Sequence, residues 1–190
     1  DNRLSTTVMY MGEDSINHGK IELESIIHSS DKIMTYVDQL TLGSKENGIW
    51  QMGERAEINF HNNKLNCSHF HLANQLQELK LNGIIGPKES DELNISLSEF
   101  DLSNFGDLTN NEESKLQLNG VINLDLRLKS ILNNIEFTGS VLVNQLKLND
   151  IQIGDLTFKS DWEGLENRFM IDGGLRNENR VEEINFQSIK

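Results

Sequence analysis

Apolar and polar residues alternate along most of this chain. From Leu116 the even positions read Leu116, Leu118, Gly120, Ile122, Leu124, Leu126, Leu128, and of the odd positions between them only Val121 is apolar. At ~3.3 Å per residue this stretch predicts roughly 40 Å of β-structure, because a helix would place its apolar residues three and four apart. The same period of two appears at Ile21, Leu23, Ser25, Ile27; at Ile33, Thr35, Val37; at Leu93, Ile95, Leu97; at Ile135, Phe137, Gly139, Val141, Val143; and at Leu156, Phe158, Ser160, Trp162. Turn-forming residues separate these runs at Asn62-Asn63, Gly86-Pro87, Asn110-Asn111, Asn133-Asn134 and Gly164 to Asn167. No segment predicts a helix longer than two turns. The expected fold is all-β.

At four places the apolar phase slips by three residues: Cys67 to Phe70, Leu97 to Phe100, Val143 to Leu146, and Ile153 to Leu156. A straight strand would turn one side of each slip outward, whereas a bulge keeps both on one face. Repeated slips predict a sheet that bends with its apolar face inside, as in a trough, a barrel or a solenoid. The units are unevenly spaced, so they form a loose repeat without a fixed period.

From Trp50 onward the order of these blocks resembles the TamB-like family, the translocation and assembly module proteins, and more loosely their AsmA-type relatives. The resemblance rests on Leu79-Lys80-Leu81-Asn82-Gly83-Ile84-Ile85, followed by the run from Leu93 to Phe105. It continues through Leu116-Gln117-Leu118-Asn119-Gly120-Val121-Ile122, Phe137-Thr138-Gly139-Ser140-Val141-Leu142-Val143 and Ile151-Gln152-Ile153-Gly154-Asp155-Leu156. It implies one continuous U-shaped sheet with an apolar groove, in the periplasm, with an inner-membrane anchor outside this segment. It also implies phospholipid acyl chains as cargo, a role in outer-membrane protein assembly, or both, and an Omp85-family outer-membrane partner. On that reading the groove lining is Ile95 and Leu97; Leu118, Ile122, Leu124 and Leu126; Phe137, Val141, Val143, Leu146 and Leu148; and Ile151, Ile153 and Phe158. The chain opens in mid-pattern at Asp1, so a segment cut from a longer sheet is expected, with a tendency to self-associate through its edges.

Composition removes several other classes. Seventeen Lys and Arg against 30 Asp and Glu give a net charge of -13, without the basic cluster that nucleic acid requires. Aromatic residues make up 6% of the chain, too few for a glycan platform, and Trp50 and Trp162 are expected at strand ends or at the groove rim. A single Cys67 excludes an internal disulfide framework. Cys67, His69 and His71 alternate, so two of them could share a metal, but no third ligand is identifiable and no metal site is assigned. Gly83 to Lys88 lacks phosphate-loop spacing, and Pro87 removes a donor. The adjacent pairs Glu112-Glu113 and Glu182-Glu183 point to opposite strand faces, and His18, His28 and His61 stand alone in polar surroundings.

A binding or transport groove that needs no cofactor is therefore the leading expectation, ahead of a structural β-helix or adhesin repeat and of a β-helix enzyme. Far-ultraviolet circular dichroism should show a strand-dominated spectrum. Helix above about a third, its share in ordinary globular proteins, would end the fold assignment.

Overall fold

The computed structural model describes residues 2–11, 17–44, 48–103, 117–133, 135–149, 151–163, 168–177 and 180–182. Readings placed on Asn104, Phe105, Asn110-Asn111, Glu112-Glu113, Leu116, Asn134, Gly164 to Asn167 and Glu183 lie outside them. The chain is all-β. Its strands are β1 (Asn2–Met11), β2 (Asn17–Ser29), β3 (Lys32–Ser44), β4 (Gly48–Met52), β5 (Ala56–His61), β6 (Lys64–Asn74) and β7 (Gln77–Ile85). There follow β8 (Glu92–Asp101), β9 (Leu118–Lys129), β10 (Glu136–Leu148), β11 (Ile151–Glu163), β12 (Arg168–Asn177) and β13 (Arg180–Glu182). Hydrogen bonding orders them β1-β2-β3-β4-β6-β7-β8-β9-β10-β11-β12-β13, with β5 paired to β3 and β6. Two compact units divide these residues: 1–95 with 128–136, and 96–127 with 137–190.

In the first unit β4 and β5 lie in one lane between β3 and β6, interrupted at Gly53 to Arg55. Antiparallel register puts direct partners on the same face. One rung therefore runs Ile27, Ile33, Phe60, Leu65, Ile85 across five strands, apolar throughout. The next on that face runs Ser25, Thr35, Ile58, Cys67, Gly83, and a third brings Leu23, Val37 and Ala56 together. Val37, Ala56 and Leu72 are its buried apolar side chains among the described residues. The opposite face carries ion pairs: Arg3 to Glu24 at 3.2 Å, and Arg55 to Glu24 at 2.7 Å and to Asp38 at 2.9 Å. Arg55 also lies over the Tyr36 ring, 3.9 Å from its centroid.

Three irregularities line up across these strands. Asp38 is the extra residue where β3 loses register with β2, Gly53 to Arg55 leave the lane beside it, and Ser68 and His69 together face the single Asn82. The β5–β6 turn at Asn62-Asn63 adopts positive φ at both residues (52° and 58°), which fits a tight hairpin. The loop from β7 to β8 is fixed by buried Asp91. That carboxylate accepts from Lys64 Nζ at 2.6 Å and from the Lys88 amide at 3.0 Å, while the Asp91 amide donates to the Lys88 carbonyl. Gly86 is required there, since a Cβ would come within 2.3 Å of the Asp91 carboxylate.

In the second unit β10 pairs antiparallel with β11, β11 with β12 and β12 with β13. Asn144 and Gln145 of β10 stand opposite the single Asp155 of β11, and Ile153 is an extra residue one step further along. Leu102 and Val143 are its buried apolar side chains among the described residues.

The hydrogen bond from Lys64, with that from the Lys88 amide and their charges, holds the Asp91 carboxyl below the ordinary aspartate value of 3.8. A carboxylate with a depressed folded pKa contributes stability above its unfolded pKa and loses it as pH falls through the folded one. Wild type should therefore lose stability below about pH 4 partly through this loop. Asp91→Asn should be less stable at pH 7 and show a smaller difference between pH 7 and pH 3, read from urea unfolding midpoints.

Candidate functional site

The feature most suited to binding is an apolar concavity in the second unit. Register sets its rungs: Val143, Leu156 and Leu175; then Val141, Phe158 and Gly173; then Gly139, Ser160 and Ile171. Large side chains stand around small ones, which leaves a hollow of about 310 Å³ walled by Leu126, Phe137, Val141, Phe158 and Ile171. Gly139 permits it. A Cβ at that position would sit 2.1 Å from the Asp125 carbonyl and 2.8 Å from Leu126, so any other residue would push β9 away. Exposure alternates along these strands as the pattern requires. Asp125, Arg127, Thr138, Ser140, Thr157 and Lys159 are exposed, and their apolar neighbours are half-buried or buried.

Bulges keep the apolar phase in step within each unit. His69, Glu99 and Gln145 have positive φ (59°, 51° and 53°), and Gly154 has φ 121°. Each of these four residues falls inside one of the phase slips. Backbone amides freed by two bulges find side-chain acceptors: Glu99 N donates to Asn123 Oδ1 and Gln145 N to Asp155 Oδ1, both at 2.9 Å. Gly120, at φ 137°, lies where a Cβ would meet the Asn144 carbonyl at 2.9 Å, so β9 passes close over the bulge of β10.

Of the expected groove residues, Leu126, Phe137, Val141 and Phe158 meet in the hollow, and Val143 is buried one rung away. Leu118, Ile122 and Leu124 are half-buried along β9, as are Leu146 and Leu148 past the bulge, Ile153 in β11 and Leu97 in β8. Ile95 is half-buried and belongs to the first unit. Ile151 stands beside the β10–β11 turn and is 67% exposed. Sequence reading missed Ile171 and Leu175, although Ile171, Gly173 and Leu175 carry the same alternation around a glycine. In the first unit it found the alternation of Leu23 to Ile27 and Ile33 to Val37 but not the rungs that join them to Phe60, Leu65 and Ile85, which only cross-strand register shows.

A second hollow of about 650 Å³ is polar, lined by Glu99, Asp101, Asn119, Asn144, Gln145 and Lys147 around the bulges. Among the described residues no three His, Cys, Asp or Glu side chains converge as metal ligands. The bulge at Ser68 and His69 explains why Cys67 and His71 do not combine: Cys67 faces Gly83 on the apolar side, whereas His71 faces Lys80 on the other and lies 3.5 Å from Glu78. Burial pushes the Cys67 thiol up. Trp50 sits in the middle of β4 and Trp162 near the end of β11, both half-buried.

No family model, curated protein or solved structure matches this chain.

A non-glycine residue at positive φ costs on the order of 1 kcal/mol, part of which glycine returns through its freer unfolded chain. Gln145 has an exposed side chain, so Gln145→Gly should raise stability by a few tenths to about 1 kcal/mol. Gln145→Val should lower it, since a β-branched residue tolerates that conformation worst. Paired urea titrations of the three proteins measure both signs.

Proposed function

We propose that this chain is a β-groove segment of a TamB-like bridge, which conducts phospholipid acyl chains along its apolar face across the periplasm. The observation that carries the reading is the aliphatic and aromatic hollow on Leu126, Phe137, Val141, Phe158 and Ile171, within a face whose apolar phase is maintained through bulges. Ser140, Lys159 and Ser160 also border that hollow, but the surface it exposes is almost wholly apolar and no carboxylate lines it, which suits an acyl chain. In this reading the full protein is anchored in the inner membrane, meets an Omp85-family partner at the outer membrane, and supports outer-membrane protein assembly as well as lipid movement. Antiparallel pairing favours this over an adhesin or enzyme built as a β-helix, whose coils stack in parallel.

The energetics suit passage better than storage. Moving an acyl chain from water onto such a lining gains ~0.8 kcal/mol per CH₂, and a bilayer offers nearly the same. Transfer from membrane to groove is thus close to neutral, and cargo is neither excluded nor trapped. A charge on the lining is different, because desolvating it costs several kcal/mol unless its stem carries it to the rim.

Leu124 is half-buried and its neighbour Asp125 exposed, on opposite faces of β9. Photo-crosslinking side chains at these positions should capture phospholipid at Leu124 and little at Asp125, with Leu124→Arg abolishing lipid co-purification and Asp125→Arg leaving it intact. Equal capture at both sites, with both variants folded by circular dichroism, would refute the groove assignment.

A further inference from the structure

We infer that the polar side of the second unit, away from the apolar hollow, binds an extended peptide segment laid across β8 to β12, with a basic side chain at the β8 end and an acidic one at the β12 end. Two hollows lie on that side. One of about 650 Å³ spans β8 to β10 and another of about 280 Å³ spans β10 to β12; Asn144 lines both, so they join into one furrow. Alternation fixes the side: Asp101 lies between Phe100 and Leu102, Asn144 follows Val143, and Arg176 follows Leu175, each out of the apolar phase. Neighbouring strands are ~4.8 Å apart, so β8 to β12 covers ~19 Å, the length of about six extended residues.

The lining selects the ligand class. Val121 and Leu142 are the single apolar residues on the polar side of β9 and of β10. Each lines one of the two hollows, and Leu142 is 37% exposed. The furrow thereby gains two apolar contacts where the alternation calls for polar residues. Around Val121 stand Asn119, Asn144 and Gln145, whose amides both donate and accept, as the groups of a peptide backbone require. Glu99 and Gln145 keep their side chains in the furrow at positive φ (51° and 53°), where glycine would fit with less strain. Glu99 and Asp101, with Lys147 beside them, leave the β8 side net negative, and Arg176 marks the β12 side. The carboxylate on the Arg176 side, Asp155, already accepts from the Gln145 amide. Among the described residues no ion pair engages Glu99, Lys147 or Arg176. Charges of both signs do not suit a phosphate backbone, and with no aromatic ring in the lining a glycan has nothing to stack on.

Fluorescence anisotropy on the full chain tests this with a labelled, end-blocked peptide of sequence Lys-Thr-Val-Thr-Leu-Glu. It should bind, and added salt should weaken it. The same peptide with Lys at both ends, or with Glu at both ends, should bind about fivefold more weakly. Arg176→Glu should reverse the order of the mixed and the two-lysine peptides, which a damaged fold would not do. Leu142→Asn should weaken the mixed peptide by about threefold or more. Lys159→Glu, exposed on the same side but outside both hollows, should leave it unchanged. No binding at millimolar peptide, three peptides bound alike, an unchanged order in Arg176→Glu, or indifference to Leu142→Asn would each overturn the proposal. None of these readouts involves lipid, so the result stands apart from the proposed groove function.

Discussion

A β-strand has only two faces, and its side chains must alternate between them. Everything distinctive here follows from keeping one face apolar while the strands depart from regularity. A simple kink would flip the pattern and send Leu146 and Leu148 to the polar side. The chain inserts an extra residue instead, at Asp38, at Ser68 and His69, and at Asn144 and Gln145, so the apolar phase resumes in step. The rung from Ile27 to Ile85 and the hollow around Phe158 are both products of that accounting.

Each inserted residue leaves a local debt in backbone conformation or in an unpaired amide. Neighbouring strands settle it with particular side chains. Asn123 and Asp155 accept from the bulge amides, and the glycines Gly83, Gly120 and Gly154 let an adjoining strand approach where any Cβ would collide. The polar residues that interrupt an otherwise apolar alphabet are thus part of the geometry of the apolar face. In the first unit Arg55 serves the same end, tying the interrupted β4–β5 lane to Asp38 and Glu24.

Strands with strong alternation were legible in sequence, and so were the four phase slips, because a three-residue slip between large aliphatic residues is a distinctive mark. The Asn62-Asn63 turn was legible for a similar reason: both residues tolerate the positive φ they adopt. β1 and β4 were not legible. Asn2 to Met11 mixes Ser, Thr and Met with few strong apolar positions, and Gly48 to Met52 is too short for a period to show. The hollow was half legible. Leu126, Phe137, Val141 and Phe158 could be placed on a common face, but the gap between them depends on Gly139 opposite Ser160 and on Gly173 opposite Phe158, and cross-strand register is not written in any one strand.

Nearly every strand is hydrogen-bonded to its neighbour in sequence; the lane shared by β4 and β5 is the main departure. Contacts that are close along the chain form early and at small entropic expense, so such a protein can assemble one hairpin after another as it leaves the ribosome. The same adjacency bears on descent. Duplicating or deleting a pair of strands changes the length of the sheet without disturbing a central core, since among the described residues the buried apolar side chains are few. Growth by tandem copying leaves loosely spaced Leu, Asn and Gly blocks in its wake, each free to drift once its bulge and its glycine are in place.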